Sequence, residues 1–393
     1  MKKLKDFDVK NKRVLVRCDF NVPLDEKGDV YNEYRIKETL PTIKYLIKNR
    51  AKVILMSHLG EPEGRVENSL KLDSVAEKLS KYLGVDIKKA DDCIGKDLEE
   101  MTMEMEGGEV MLLENLRFHK EEKENDPEFS KKLAMLGDIY INDAFSVSHR
   151  EHASVCGITD YLPSGIGLLF EKEIKVLSRV LKNPWRPLVS IIGGAKIETK
   201  TALIKELLKE SDHVLIGGKI ANVILTVKGI CIGRPWPEKE VADDVSKLDL
   251  TSTKLHLPVD ALISPDNTGK DYILKSAVAK AKKEELILDI GPETIDFFSN
   301  IIKKAKMIVW SGPMGYFENP LFSVGTKEIA EAVVRNHKAY KIIGGGDTIA
   351  AISKLKLLDK FDHVSTGGGA MLSFLSREKL PGLEALNNYE KRN

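Results

Sequence analysis

Gly344-Gly345-Gly346-Asp347-Thr348 follows the short apolar run Lys341-Ile342-Ile343 and leads into Ile349-Ala350-Ala351. An apolar run of strand length, a turn stripped of side chains and a stretch of helix formers predict strand, turn and helix in that order. At such a turn the N–H groups of the helix start face outward, with the positive end of the dipole behind them. Phosphate can then approach without meeting a Cβ. Asp347 repels phosphate unless a cation lies between them, which points to a divalent ion arriving with a nucleotide. For this stretch taken by itself, a glycine turn that serves strand–helix packing alone is the alternative.

The same pattern recurs through the second half of the chain. Apolar runs give way to Gly193-Gly194-Ala195-Lys196, to Gly217-Gly218-Lys219, to Gly291-Pro292, to Ser311-Gly312-Pro313 and to Gly367-Gly368-Gly369. Backbone freed of side chains at successive strand ends suits a ligand that must be approached closely. Neither GxxxxGK[ST] nor a complete GxGxxG is present, so a P-loop enzyme and a conventional dinucleotide site are not supported. Lys196 and Lys200 stand four apart where the first of these turns is expected to become helix, which predicts both ammonium groups on one face near the helix start. Lysines there oppose the dipole unless an anion sits between them.

The first half gathers a different set. Asp19 and Asn21, His58, Arg117, and His149 with Arg150 each follow an apolar run, and Arg35 opens a helical stretch. Strand mouths of one parallel sheet share an edge, so these residues are expected to form a basic basin. Arginine suits it because its planar fork of donors grips carboxylate or phosphate with two bonds. A solvated charge or structural ion pair is the alternative for each arginine taken singly.

The elements that must position these groups alternate β and α. Strands are predicted over 13–17, 52–56, 109–113, 138–141, 188–192, 213–216, 286–290, 307–310, 341–343 and 363–364. Helices are predicted over 35–48 (started or kinked by Pro41), 72–83, 127–136 and 168–181. That order predicts an α/β fold with mostly parallel sheets. The 393 residues exceed one ordinary core. The pattern breaks at Tyr161-Leu162-Pro163-Ser164-Gly165-Ile166-Gly167 and again at Asn183-Pro184-Trp185-Arg186-Pro187. Domains are therefore expected over 1–167 and 185–375, with 168–184 as connecting helix and hinge and 376–393 as a tail.

With 61 basic against 60 acidic side chains, no global excess argues for nucleic acid, and any anion site must be local. The N-terminus has no apolar signal core and no apolar run reaches the ~20 residues of a membrane span, so a cytoplasmic protein is expected. Cys18, Cys93, Cys156 and Cys231 are widely spaced and are read as incidental thiols rather than metal ligands or disulfides.

In order along nearly the whole chain, RCDFNVPLD at 17–25, Arg35, SHLG at 57–60, LLENLRFH at 112–119, NDAFSVSHR at 142–150, GGAK at 193–196, WSGPMGYFE at 310–318, GGGDT at 344–348 and STGGG at 365–369 closely resemble the phosphoglycerate kinase family. The resemblance implies two Rossmann-like domains, each a mostly parallel sheet flanked by helices, facing across a cleft. It implies a tail that returns to the first domain. It places 3-phosphoglycerate on Asp19, Asn21, Arg35, His58, Arg117 and Arg150, and the nucleotide on Lys200, Gly217, Gly218, Gly291, Glu318, Gly345, Gly346, Asp347 and Thr348. Mg2+ bound with ATP or ADP would lie at Asp347. Arg35, Lys196, Gly367, Gly368 and Gly369 would surround the transferring phosphate, and the enzyme is expected to act as a monomer.

The implied reaction passes phosphoryl between ATP and the carboxylate of 3-phosphoglycerate, giving 1,3-bisphosphoglycerate after domain closure. A carboxylate nucleophile has no proton to lose, so no general base is expected. One departure bears on this: where the family pattern has arginine after His-Leu-Gly, this chain has Glu61, and Arg65 is expected to reach back and supply the missing donor. Ser311 and Ser146 replace the family's common Asn and Gly. A non-catalytic or weakened nucleotide-binding homologue is the alternative that Glu61 leaves open. A dehydrogenase of similar fold lacks its fingerprint here.

Overall fold

A computed structural model describes residues 1–230, 233–234 and 237–392; Cys231 lies outside them. The chain divides into two compact units, Met1–Lys175 with Lys379–Asn393, and Val176–Glu378.

The first unit runs β1 (Arg13–Arg17), α1 (Tyr34–Lys48), β2 (Lys52–Met56), α2 (Asp73–Leu83), β3 (Ile87–Lys89), α3 (Lys96–Glu104), β4 (Val110–Leu112), α4 (Pro127–Met135), β5 (Ile139–Asn142) and β6 (Ser164–Ile166), after which α5 (Leu168–Lys182) begins. The strands form one sheet in the order β3-β4-β2-β1-β5-β6, and every pair in it is parallel. Its central strands are apolar and buried, as expected of strands covered on both faces. Each fully buried Val, Leu or Ile contributes about 1.5–3 kcal/mol.

Local chemistry sets the helix ends. Asp126 caps α4 by accepting from Phe129 N at 2.8 Å, with Pro127 at the first helical position. Gly84 closes α2 in the left-handed conformation, φ 68°. Pro41 neither starts nor ends α1: the helix begins seven residues earlier, at Tyr34, and carries the proline inside it.

The second unit continues with β7 (Leu188–Ile192), α6 (Thr201–Glu210), β8 (His213–Ile216), α7 (Gly218–Val227), α8 (Lys239–Ser246), β9 (Leu255–His256), β10 (Asp260–Ser264), β11 (Leu274–Ala277), β12 (Leu286–Ile290), α9 (Pro292–Ile302), β13 (Met307–Ser311), α10 (Val324–Arg335), β14 (Tyr340–Gly344), α11 (Gly346–Lys354), β15 (His363–Val364) and α12 (Gly369–Leu375). Six strands form a parallel sheet in the order β15-β14-β13-β7-β8-β9. The run at 286–290 does not join it. As β12 it lies in a separate antiparallel sheet, β11-β10-β12, because β10 pairs antiparallel with both neighbours.

The last helix, α13 (Pro381–Arg392), belongs to the first unit. Gly382 N donates to Ser148 O at 2.9 Å, and a Cβ on Gly382 would lie 2.6 Å from Val155, so glycine lets this helix seat closely. The boundary between the units falls within α5. Cys18, Cys93 and Cys156 are free thiols.

Candidate active site

The C-terminal ends of β1, β2, β4 and β5 lie on one edge of the first sheet, and the polar residues that follow them meet there. Asp19 is buried and holds Arg35, whose Nη1 lies 2.9–3.0 Å from the two carboxylate oxygens and donates to Asn21 O at 2.9 Å. Ser146 Oγ donates to Asp19 as well. Asn21 Oδ1 accepts from Gly60 N at 3.0 Å, which ties the loop after β1 to the loop after β2. Arg117 is 2% exposed, and its Nη1 donates to Gly60 O at 2.8 Å. Its Nε and Nη2 are buried and find no hydrogen-bond partner among the described residues. A buried guanidinium with unused donors is a site for an anion.

His58 is buried against Arg17, Nη2 to Nδ1 at 3.1 Å. A guanidinium only donates, so Nδ1 accepts and the ring hydrogen sits on Nε2. Burial pushes the His58 pKa well below the ordinary histidine value, and Arg17, Arg150 and Arg35 add to the effect. The ring is therefore a neutral N–H donor. Arg17 is fixed in turn: its Nε donates to Ser154 Oγ at 2.9 Å, and Ser154 Oγ donates to Glu122 at 2.6 Å. Burial raises the Glu122 pKa, and the charge of Arg17 opposes that rise.

In the second unit, a cavity of about 440 Å³ is lined by Gly218, Lys219 and Asn222 of α7, the apolar run Leu286–Leu288, the turn Pro313–Glu318 and Asp347. α7 and α11, which contribute to this lining, and α12 have Gly217, Gly345 and Gly368 at their N-caps, with no side-chain cap. At α7 two of the first-turn N–H groups are engaged, Gly218 N with Met314 O at 2.8 Å and Ile220 N with Gly194 O at 3.3 Å, so the start of α11 is the one of the three best placed to offer N–H groups to a ligand. Gly345 has φ 93°, a conformation that admits glycine and few other residues. Asp347, on the first turn of α11, is exposed and forms no ion pair or hydrogen bond with described residues. A free carboxylate beside glycine turns fits Mg2+, which takes one or two carboxylates together with nucleotide phosphates.

The structure rearranges several expected contacts. Lys196 and Lys200 do not share a helix face. The segment before α6 is a turn, α6 begins at Thr201, and Lys196 is exposed while Lys200 is buried. Lys200 Nζ donates to the carbonyls of Gly193 and Ser311 at 2.7 and 3.4 Å. Burial lowers its pKa to about 8, with Asp347 opposing. Of the expected nucleotide residues, Gly218, Glu318 and Asp347 line the cavity, whereas Lys200, Gly217, Gly291, Gly345, Gly346 and Thr348 do not. A Cβ on Gly291 would lie 2.2 Å from Asp260 Oδ2, so packing already requires glycine at that position. Thr348 Oγ1 accepts from Gly312 N at 2.6 Å and so joins two glycine turns. Gly367 N already donates to Ser365 Oγ at 3.1 Å. Arg65 is exposed and is not among the cations that meet Glu61, which are Arg117, Lys123 and Arg150.

Sequence reasoning passed over Arg17, Lys219 and Asn222. For Lys219 and Asn222 the signal is their place on the helix turn after Gly217-Gly218. Arg17 resembles any strand-end arginine until its buried partners are known. Among the described residues Asp92, Cys93 and His119 also gather ligand atoms within 4.8 Å. His119 Nε2 is already bound to Asp92 Oδ1 at 2.7 Å and burial holds the Cys93 thiol protonated, so these groups satisfy one another. No described helix is long and apolar enough to cross a membrane.

Comparison with known proteins agrees with this geometry. The family model for phosphoglycerate kinase matches residues 4–378. The phosphoglycerate kinase of Dictyoglomus turgidum is 47% identical, with 98% of each chain covered, and that of Borrelia garinii subsp. bavariensis is 46% identical, with 98% of this chain and 99% of the relative covered. The solved phosphoglycerate kinases of Coxiella burnetii and Pyrococcus horikoshii superpose over all of both chains with a TM-score of 0.86, at 38% and 34% identity. Matched end to end in sequence and in fold, this chain belongs to the phosphoglycerate kinase family.

Proposed function

We propose that the guanidinium basin of the first unit holds 3-phosphoglycerate through Asp19, Asn21, Arg35, His58, Arg117 and Arg150, while the turns of the second unit hold Mg-ATP or Mg-ADP. The reaction is the reversible transfer of phosphoryl between ATP and the carboxylate of 3-phosphoglycerate. The observation that carries the acceptor assignment is the basin's composition. It offers donors, including the unpaired Nε and Nη2 of Arg117, and the buried His58 has Nδ1 engaged and Nε2 protonated. Such a site recognises anions and withdraws no proton, which suits a nucleophile that is already a carboxylate.

Catalysis then rests on alignment and charge neutralisation of the transferring group. Arg35, Lys196 and the amides of Gly367, Gly368 and Gly369 are the groups assigned to it, with Lys200, Gly217, Gly218, Gly291, Glu318, Gly345, Gly346 and Thr348 around the nucleotide. Asp347 would hold Mg2+, which supplies charge neutralisation between the nucleotide phosphates when bound. Transfer requires reacting atoms ~3–3.5 Å apart. The reacting state must therefore bring the domain over 1–167 to that over 185–375, and residues 168–184 are assigned to the hinge, with 376–393 returning to the first domain. Donor and acceptor residues come from one chain, so a monomer suffices, and the cytoplasm is the location assigned to it.

The test is a coupled assay for acyl phosphate formed from 3-phosphoglycerate and ATP. ADP release without dependence on 3-phosphoglycerate would overturn the acceptor assignment. Asp347→Asn is expected to raise the Mg2+ concentration for half-maximal rate about tenfold or more. A smaller solution radius with both substrates than with either alone is expected from closure.

A further inference from the structure

Glu61 places a carboxylate among the cations of the acceptor basin. Its Oε1 lies 2.5 Å from Arg117 Nη1 and 3.9 Å from Arg150 Nη1, and its Oε2 lies 3.5 Å from Lys123 Nζ. The two ends of the main pair differ in environment. The Arg117 side chain is 2% exposed and the Glu61 side chain 57%. The loop that carries Glu61 is pinned on both sides, by Arg117 Nη1 on Gly60 O at 2.8 Å and by Gly64 N on Arg117 O at 3.1 Å. Backbone movement is thereby limited, but the solvent-facing side chain can swing its carboxylate off the arginine by rotating about its own bonds.

A buried guanidinium without an anion costs several kcal/mol, and a tethered carboxylate relieves that cost in the free protein. It relieves the cost incompletely, since Nε and Nη2 of Arg117 remain without partners. A phosphate monoester carries close to two charges and three strong acceptor oxygens, against one charge and two oxygens for Glu61. It can engage the fork of Arg117 more fully than Glu61 does.

We propose that Glu61 is the resident counter-ion of the acceptor subsite, exchanged for the phosphate of the incoming substrate. Resting on the assignment of this basin to 3-phosphoglycerate, the exchange sets the affinity an anion needs in order to occupy the site. Small anions that offer no further contacts must compete with a carboxylate already in place, and a substrate anchored by Asn21, Arg35 and His58 as well displaces it. Glu61 thus lowers affinity by a common factor for every anion that must displace it, so that at low concentration only an anion with further contacts fills the site.

The experiment compares the full-length protein with Glu61→Gln, Glu61→Ala and Glu63→Gln; the last removes an exposed charge two residues away. Inorganic phosphate binding is measured by calorimetry and the KM for 3-phosphoglycerate at saturating ATP. The dissociation constant for phosphate and the KM are both expected to fall about fivefold in the two Glu61 variants, the equivalent of about 1 kcal/mol, with Glu63→Gln within twofold of wild type and the KM for ATP unmoved. Unchanged phosphate binding in both Glu61 variants, a raised KM, or an equal shift in Glu63→Gln overturns the proposal. A wild-type protein that fails to turn over 3-phosphoglycerate would overturn the acceptor assignment instead, and the phosphate titrations would still decide whether Glu61 occupies the site.

Discussion

Lys200 is expected to weaken the fold that it serves. Its ammonium is buried, bonded to the carbonyls of Gly193 and Ser311, and its pKa falls from 10.5 to about 8 because burial disfavours the charge. At about 1.4 kcal/mol for each tenfold change in proton affinity, the charged form costs the folded state about 3 kcal/mol. A lysine with a depressed folded pKa holds fewer protons folded than unfolded between pH 8 and 10.5. Its penalty is therefore complete below that window and fades as pH rises through it. Lys200→Met removes the charge and keeps most of the volume, but strands the Gly193 carbonyl at about 1 kcal/mol, whereas Ser311 O keeps its bond from Gly193 N at 2.9 Å.

The variant should accordingly be more stable than wild type by about 2 kcal/mol at pH 7 and less stable by about 0.5 kcal/mol at pH 10.5, crossing near pH 10. Urea unfolding of both proteins at pH 7, 8.5 and 10.5 reads the difference, in which groups common to the two cancel. Kinase turnover should fall about a hundredfold or more, as for loss of a charged donor to a phosphoryl group. A stability difference that does not change with pH, or a Met variant clearly less stable at pH 7, would refute the account of Lys200 as a strained cation.

Arg17→Met should destabilise the first unit by about 3–5 kcal/mol in urea unfolding, because it leaves the buried Glu122 without its cation. It should also raise the KM for 3-phosphoglycerate, since His58 loses the donor that fixes its tautomer. His119 and Asp92 give a pH signature at a second place. The bond from Asp92 raises the His119 pKa above 6.5, with burial opposing. The stabilisation is thus complete below pH 6.5 and lost as pH rises through the folded value. The melting temperature of wild type should exceed that of His119→Gln by more at pH 5.5 than at pH 8.5, and an equal gap at both would count against a charged pair.

Residue types and short-range order were legible in the sequence because they rest on local physics. Apolar runs bounded by glycine or polar residues marked most strands to within a residue or two, among them Lys52–Met56 and Leu188–Ile192. Glycine at 345 and arginine at 117 announced phosphate chemistry because few other residues bring bare backbone or a forked cation to a strand end. The run at 286–290 could not reveal its own partner, since an isolated strand looks the same in a parallel or an antiparallel pair. Its antiparallel place was decided by Asp260–Ser264.

The same limit governed individual side chains. Lys196 and Lys200 share a spacing that fits a helix, but the turn ending at Thr201 buries one and exposes the other. Gly291 and Thr348 have the types of ligand contacts, yet their roles follow from Asp260 and Gly312, each more than thirty residues away along the chain. Sequence alone determined that Glu61 would set a negative charge beside an anion site. Only the fold decided which cations it meets, because Arg117, Lys123 and Arg150 reach it from loops 56 to 89 residues further along, brought together by the register of one parallel sheet.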